Sequence, residues 1–250
     1  MQPVDTRPPS QPSAYSRFFS RFIDWLRHRI AQASLVGDHP IFRNDQFPWV
    51  ARLEAQAPAI RAELMALLAE RERLPSFHEL SPDVGMITSD DQWKTFVFMG
   101  YGLRSDRNLA RCPATARALH EIPGLRTAFY SILEPGKRIP LHTGPYNGVL
   151  RLHLGLVVPE PAERCWIEVG GERYHWKEGE AVVFDDLYPH QVGQRAGQSA
   201  RRSAVHRLRA SLSGADPLAE PAGADGCALH RRDPARQGQP RRLGTQLLSE

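Results

Sequence analysis

Leu141-His142-Thr143-Gly144-Pro145-Tyr146-Asn147-Gly148-Val149-Leu150-Arg151-Leu152-His153-Leu154-Gly155 is the stretch whose reading decides the fold. A histidine sits on a loop punctuated by glycine and proline. A strand follows in which Arg151 and His153 alternate with leucines. Successive side chains of a strand point to opposite faces, so Arg151 and His153 share one face. On a mostly apolar strand that face points into a barrel. Further on, Val183-Phe184-Asp185-Asp186-Leu187-Tyr188-Pro189-His190 repeats the device, a strand leading into a turn that presents a histidine.

Working outward, Thr127 to Leu133, Val149 to Val157, Cys165 to Val169, Glu172 to Trp176 and Ala181 to Phe184 are short β-branched, aromatic or alternating runs. Clusters of Gly and Pro separate them. The region before them has helical periodicity. Asn108 to Glu121 reads as a short helix closed by Pro123 and Gly124, and Pro48 to Glu72 as a longer one with Leu53, Ile60, Leu64 and Leu67 on one face. From Tyr15 to about Leu35, Phe18, Phe19, Phe22, Ile23, Trp25, Leu26 and Ile30 recur at helical spacing with arginines among them. Such a helix docks its apolar stripe on the domain, the expected outcome, or lies on an anionic membrane surface as a peripheral contact.

The fold class that follows is mainly β with N-terminal helices, a double-stranded β-helix (jelly-roll, cupin-like) barrel under a helical cap. The expected division is a disordered leader at 1–14, a helical region at 15–125 packing on the barrel, a jelly-roll core at 126–192 and a tail at 193–250.

Composition narrows the function classes. The chain has 250 residues, 41% of them hydrophobic, enough for one sizeable core. Cys112, Cys165 and Cys227 are odd in number and widely spaced, so neither a disulfide framework nor a structural zinc site is expected, and a reducing, cytoplasmic setting fits. No apolar run is long enough to span a bilayer, and no signal-peptide pattern opens the chain. The formal charge of +4 is unevenly spread. Residues 191–250 hold ten arginines and no lysine against five acidic residues, which leaves the body near neutral. That basic tail lacks aromatics for stacking and any recognised module, so nucleic acid is not an expected partner.

His142 and His190, on a loop and at a strand end, with Arg151 and His153 lining the same cavity, form the set a non-haem iron oxygenase requires. Neutral imidazoles hold Fe(II) and leave positions open, while cationic groups bind the carboxylates of an oxo-acid. His28, His78, His120, His175, His206 and His230 are read as surface or core residues. Asp185 and Asp186 are read as a turn and cap before Tyr188 and Pro189.

Most such oxygenases place a carboxylate two residues after the first histidine, and here that position is Gly144. The His-x-Gly pattern resembles the aspartyl/asparaginyl β-hydroxylase family. The likeness runs from roughly Phe47 through Val192. It includes Trp93-Lys94-Thr95-Phe96-Val97-Phe98-Met99-Gly100-Tyr101-Gly102, Pro135 to His142 and Glu178 to Asp186. The resemblance implies an Fe(II)- and 2-oxoglutarate-dependent dioxygenase that uses O₂ and releases succinate. In it His142 and His190 are the iron ligands, Arg151 and His153 contact 2-oxoglutarate, and Ser131 contacts its far carboxylate. The substrate would be a protein Asp or Asn side chain, a proline or a lipid A acyl chain, as in the related lipid A hydroxylases.

The family also places an arginine ten residues after the second histidine, where this sequence has Ala200. From Gly193 onward there is no Phe, Tyr or Trp, although the preceding residues hold 21 aromatics. A tail of that composition is expected to be disordered, which removes the buried closing strand and leaves a sheet edge open. Degenerate codons for Ala200 to Ser211, read one base later, permit Arg-x-Val-Leu-x-Phe-Ile-Asp-Phe-Glu-Arg-Pro, a closing strand that begins with the missing arginine. The alternative function is therefore an impaired cupin-like relative that lacks this strand.

Overall fold

In the computed structural model the described residues are Phe22, Ser34, 36–80, 87–100, 102–144, 149–194 and 205–213. The leader at 1–14, the 15–35 helix apart from Phe22 and Ser34, position 200 and the stretch 214–250 lie outside them. Eleven strands are described. They are β1 (Ile41–Phe42), β2 (Trp93–Gly100), β3 (Leu103–Arg104), β4 (Leu125–Leu133), β5 (Ile139–His142), β6 (Val149–Val157), β7 (Cys165–Val169), β8 (Glu172–His175), β9 (Ala181–Asp185), β10 (His190–Gln194) and β11 (Val205–Ser213). The helices are α1 (Pro48–Ala55), α2 (Ala57–Leu68), α3 (Phe77–Leu80), α4 (Asp106–Arg111) and α5 (Pro113–His120).

The strands form a seven-stranded sheet in the order β1-β9-β6-β11-β4-β2-β3 and a four-stranded sheet in the order β5-β10-β7-β8. The alternation read in 150–154 sorts the large sheet into two faces. Leu150, Leu152, Leu154, Ala128, Tyr130, Ile132, Leu208, Ala210 and Leu212 join one core cluster with Leu53, Ile60 and Leu64 of the helices. Trp93, Leu133, Val182 and Phe184 join a second, with Ile139, Ile167, Val169 and Val192 of the small sheet. The expected jelly-roll sandwich with a helical cap is the observed architecture.

The boundaries differ where proline or double-sided burial intervenes. The helix expected over Pro48 to Glu72 is split at Gln56, because Pro58 has no N–H to continue the ladder and sits in the first turn of α2. Pro113 splits the next helix into α4 and α5 in the same way. Trp93–Gly100 lies in the region assigned to helices, yet it pairs with β4 inside the large sheet. Its positions are buried on both faces, so clean alternation does not announce it.

The larger correction concerns the end of the chain. The closing strand is present, formed by the residues as they stand. β11 lies between β4 and β6, with Arg207 opposite Ser131 and Gly155, Arg209 opposite Phe129 and His153, and Ser211 opposite Thr127 and Arg151. The large sheet has no gap there. Leu208, Ala210 and Leu212 supply the apolar face that aromatics were expected to supply.

One side chain fastens helices to sheet. Glu63 of α2 accepts the Ala114 N–H at 2.6 Å, the Thr115 N–H at 2.9 Å and the Thr115 hydroxyl at 2.7 Å. It thus caps the N-terminus of α5 from a neighbouring helix, where a carboxylate also complements the helix dipole. Thr115 Oγ in turn meets the Tyr130 hydroxyl of β4 at 2.5 Å, and that hydroxyl donates to the Ile60 carbonyl. Glu63→Ala is expected to lower stability by about 2 kcal/mol, with Glu63→Gln intermediate, in urea unfolding followed by circular dichroism.

Candidate active site

β5 ends and β10 begins on a histidine, and the two strands pair antiparallel with His190 opposite His142. The imidazole centroids lie 4.1 Å apart. Each ring is fixed by its own strand, for His142 Nδ1 lies 2.8 Å from the Pro140 carbonyl and His190 Nδ1 lies 2.9 Å from that of Tyr188. A carbonyl only accepts, so both Nδ1 atoms carry the hydrogen and both Nε2 atoms keep a lone pair. Burial lowers both pKa values, that of His190 to about 4 with the neighbouring His142 as the next cause. At neutral pH the pair is uncharged, which is the form that binds a divalent metal.

Asp186 stands beside them, 3% exposed in its side chain. One oxygen lies 2.8 Å from Arg151 Nη2 and the other 3.5 Å from His190 Nε2. Burial pushes this carboxyl up, but the charge and hydrogen bond of Arg151, with smaller help from Arg209 and His190, bring it down to about 2. Asp186 is therefore not the turn residue that its position suggests. Asp185 alone does that work, accepting the Leu187 N–H at 2.8 Å. The strand alternation that points Val182 and Phe184 inward, carried two residues further, would have found Asp186.

Gly144 now has a local reason. A Cβ there would lie 2.6 Å from the Asp186 carboxylate carbon and 2.9 Å from its carbonyl oxygen. The Gly144 N–H donates to that carbonyl at 2.7 Å. The space that a side chain at 144 would enter is filled by the carboxylate of Asp186.

The wall beyond is cationic and short of partners. His153 is 2% exposed, and neither ring nitrogen has a hydrogen-bond partner among the described residues. Its pKa is held well below the usual value by burial first, then by Arg207 and Arg209. Arg151 Nε is likewise unpartnered. Ser131 Oγ accepts the Trp93 indole N–H at 3.0 Å. Arg207 and Arg209 of β11, both read as tail residues, face the same interior from the strand beside His153 and Ser131. Two imidazoles with free lone pairs, beside buried donors that lack acceptors, fit a divalent metal with an anionic, oxygen-rich ligand. All five predicted positions, His142, His190, Arg151, His153 and Ser131, lie on strands that face this interior. Among the described residues a second set of metal-type donors, His78, Glu79 and Asp91, sits at the surface, where Glu79 and Asp91 already accept from Ser76.

A model of the aspartyl/asparaginyl β-hydroxylase family matches residues 54–204. An ornithine lipid ester-linked acyl 2-hydroxylase of Rhizobium tropici is 47% identical over 185 residues, 74% of this chain. The human aspartyl/asparaginyl β-hydroxylase is 34% identical over 152 residues, 59% of this chain. The match spans 66% of the first relative's length and 19% of the second's.

Gly144→Ala must displace Asp186 or the loop that carries it. The expected outcome is folded protein whose affinity for Mn(II), measured by calorimetry, drops by on the order of 10-fold or more, because the turn that carries Asp186 leads directly into His190. Unchanged affinity would show that Asp186 does not support the histidine pair.

Proposed function

We propose, from the premise that the chain belongs to the aspartyl/asparaginyl β-hydroxylase family, that it is an Fe(II)- and 2-oxoglutarate-dependent hydroxylase of a lipid acyl chain. The observation that carries the reaction class is the His142 and His190 pair, with free Nε2 atoms, opening on buried cationic donors. The lipid substrate is favoured over a protein Asp or Asn side chain because the lipid hydroxylase matches at higher identity and over more of the chain than the human enzyme does.

In this reading His142 and His190 hold the iron through Nε2. Arg151 and His153 take the carboxylate and keto oxygens of 2-oxoglutarate, and Ser131 lies toward its far end. Bound iron with O₂ and 2-oxoglutarate supplies the oxidising equivalents, one oxygen atom going to the substrate and the other to succinate as CO₂ leaves. The protein's part is positioning and charge. Asp186 accepts from Arg151 and so fixes that guanidinium beside the histidine pair. Phe184, packed edge-on to both His153 and His190, and Trp176 beside His153 keep water from the interior.

A lipid substrate has to be met at a surface. No helix among the described residues is long and apolar enough to cross a membrane. We place that contact on the Arg-interspersed apolar segment 15–35, at the cytoplasmic face of an anionic bilayer. The alternative, an impaired cupin-like relative, rested on a missing closing strand and a missing arginine at position 200; β11 supports the active reading on the first count, and position 200 lies outside the described residues.

The test is direct. Purified protein with Fe(II), O₂ and 2-oxoglutarate is expected to release succinate and to add the mass of one oxygen atom to the acyl chain of an ornithine lipid. His142→Ala and His190→Ala should each reduce both signals to background. Succinate release coupled to an aspartyl peptide, with the lipid unmodified, would move the substrate to protein. No succinate with either would overturn the reaction class.

A further inference from the structure

The small sheet carries a groove that the histidine site does not use. It encloses about 460 Å³ between the edge strand β5 and strands β10, β7 and β8, and Arg138, Pro140, Leu141, Trp166 and Arg173 are among its lining residues. Trp166 pairs across with Gly193, and a Cβ at 193 would lie 2.3 Å from the indole, so the ring rests on bare backbone. The Arg173 guanidinium stacks on that ring, 4.1 Å from its centroid, and donates to Glu168 at 2.7 Å. The other Glu168 oxygen accepts from Gln191 at 2.9 Å. Glu168 is thereby satisfied, and no lining residue of the groove is acidic. Arg138, on the β5 side, is exposed.

Leu141 is 63% exposed, the highest value among the exposed large apolar side chains of the described residues. One exposed leucine is ordinary. This one stands with Pro140, a partly exposed indole and two guanidinium groups, the mixture that settles where lipid headgroups meet acyl chains. A small soluble anion would satisfy the arginines and leave Leu141 and Pro140 in water, whereas an anionic bilayer answers both. Leu141 directly precedes His142, and Gln191 directly follows His190, so the groove runs along the two strands that carry the histidine pair. One residue of either strand, about 3 Å, separates the two. We propose that this groove docks the barrel on an anionic bilayer, with Arg138 and Arg173 at the headgroup oxyanions and Leu141 and Pro140 entering the apolar boundary. The proposal rests on the lipid reading above and adds a contact on the folded domain to that of segment 15–35.

Two contacts fix an orientation that one does not. A single amphipathic segment tethers the protein and leaves the barrel free to turn. A second contact beside β5 turns the His142 end of that strand toward the bilayer, and each contact raises the effective concentration of the other at the surface. A lipid lifted from the membrane then has a short path to the histidines. Loss of the groove contact should therefore raise KM for lipid in vesicles and leave kcat near the wild-type value. The arginines are exposed, so docking should also weaken as ionic strength rises.

The experiment uses the full chain and vesicles of phosphatidylcholine with or without phosphatidylglycerol, with binding read by co-sedimentation. The wild type is expected to prefer the anionic vesicles by on the order of 10-fold. Arg138→Gln and Arg173→Gln should each weaken binding to them by about 5-fold, and Leu141→Ser by on the order of 10-fold. All three side chains are exposed, so the variants should keep the wild-type affinity for Mn(II), which separates docking from damage to the histidine site. Trp25→Phe removes the indole of segment 15–35. In that background brominated lipids should still quench fluorescence through Trp166, because Trp49, Trp93 and Trp176 are buried, and Trp166→Phe should abolish the effect. Equal binding to the two kinds of vesicle, unchanged affinity in both arginine variants, or quenching that vanishes with Trp25 would each overturn the docking face. Release by inorganic phosphate but not by chloride of equal ionic strength would overturn it too, by showing a free-anion site. Lipid hydroxylation that persists beside any of these results leaves the proposed function standing. Docking as expected with no lipid hydroxylated would overturn the lipid substrate and keep the groove as a membrane contact.

Discussion

The Asp186 carboxylate organises the histidine end of the cavity, since it lies between Arg151 on one strand and His190 on another. It sits in a position that loses solvation, and the guanidinium of Arg151 is the main group that makes its ionised form stable there. Removing either partner would leave an uncompensated charge inside the barrel, so the two are retained or lost together. Gly144 is part of the same constraint. The loop after His142 approaches the carboxylate so closely that no side chain is tolerated. The missing carboxylate at position 144 and the presence of one at 186 are thus a single structural fact, in which the acid reaches the histidines from β9's end instead of from β5's.

The large sheet carries this arrangement because its two faces do different work. Toward the helices every alternate position is aliphatic or aromatic, down to Leu208, Ala210 and Leu212 of β11. Toward the small sheet the same strands place Ser131, Arg151, His153 and Arg207 among Trp93, Trp176 and Phe184. The apolar face holds the strands in register, and register alone decides which polar groups meet. A one-residue slip of β11 would bury Leu208 in the cavity and put Arg207 against the helices. The burial of three leucine-type positions therefore also sets the placement of the arginines.

Much of this was legible before the coordinates. Arg151 and His153 follow from strand alternation around Leu150, Leu152 and Leu154, His142 and His190 stand out by their loop and strand-end settings, and the jelly roll follows from five short strands after a helical lead. Three features were not. Trp93–Gly100 is buried on both faces, so it lacks the period of two that marks a half-exposed strand. Asp186 follows Asp185 directly, and two adjacent acids before Tyr-Pro read as a turn until the inward direction of Val182 and Phe184 is extended to them. β11 was hidden by composition, because ten arginines and no aromatics suggest a solvated tail. Leu208, Ala210 and Leu212 carried the period all along, but three small or aliphatic residues are a weak signal against that background.

The cations and the imidazoles of the cavity are electrostatically one system. Burial is the first cause that keeps His142, His153 and His190 neutral, and Arg209 adds to it at all three. A wall rich in guanidinium groups therefore does two things at once. It disfavours protonation of the histidines, which preserves their lone pairs for a metal, and it raises the affinity of the interior for anions. These demands would conflict if the cations were lysines, whose own pKa falls on burial until the charge is lost. Arginine stays charged under the same penalty, as Arg207 does. An interior that keeps imidazoles neutral while carrying several buried cations is thus better served by guanidinium than by ammonium, and the described interior wall carries Arg151, Arg207 and Arg209 with no lysine on those strands.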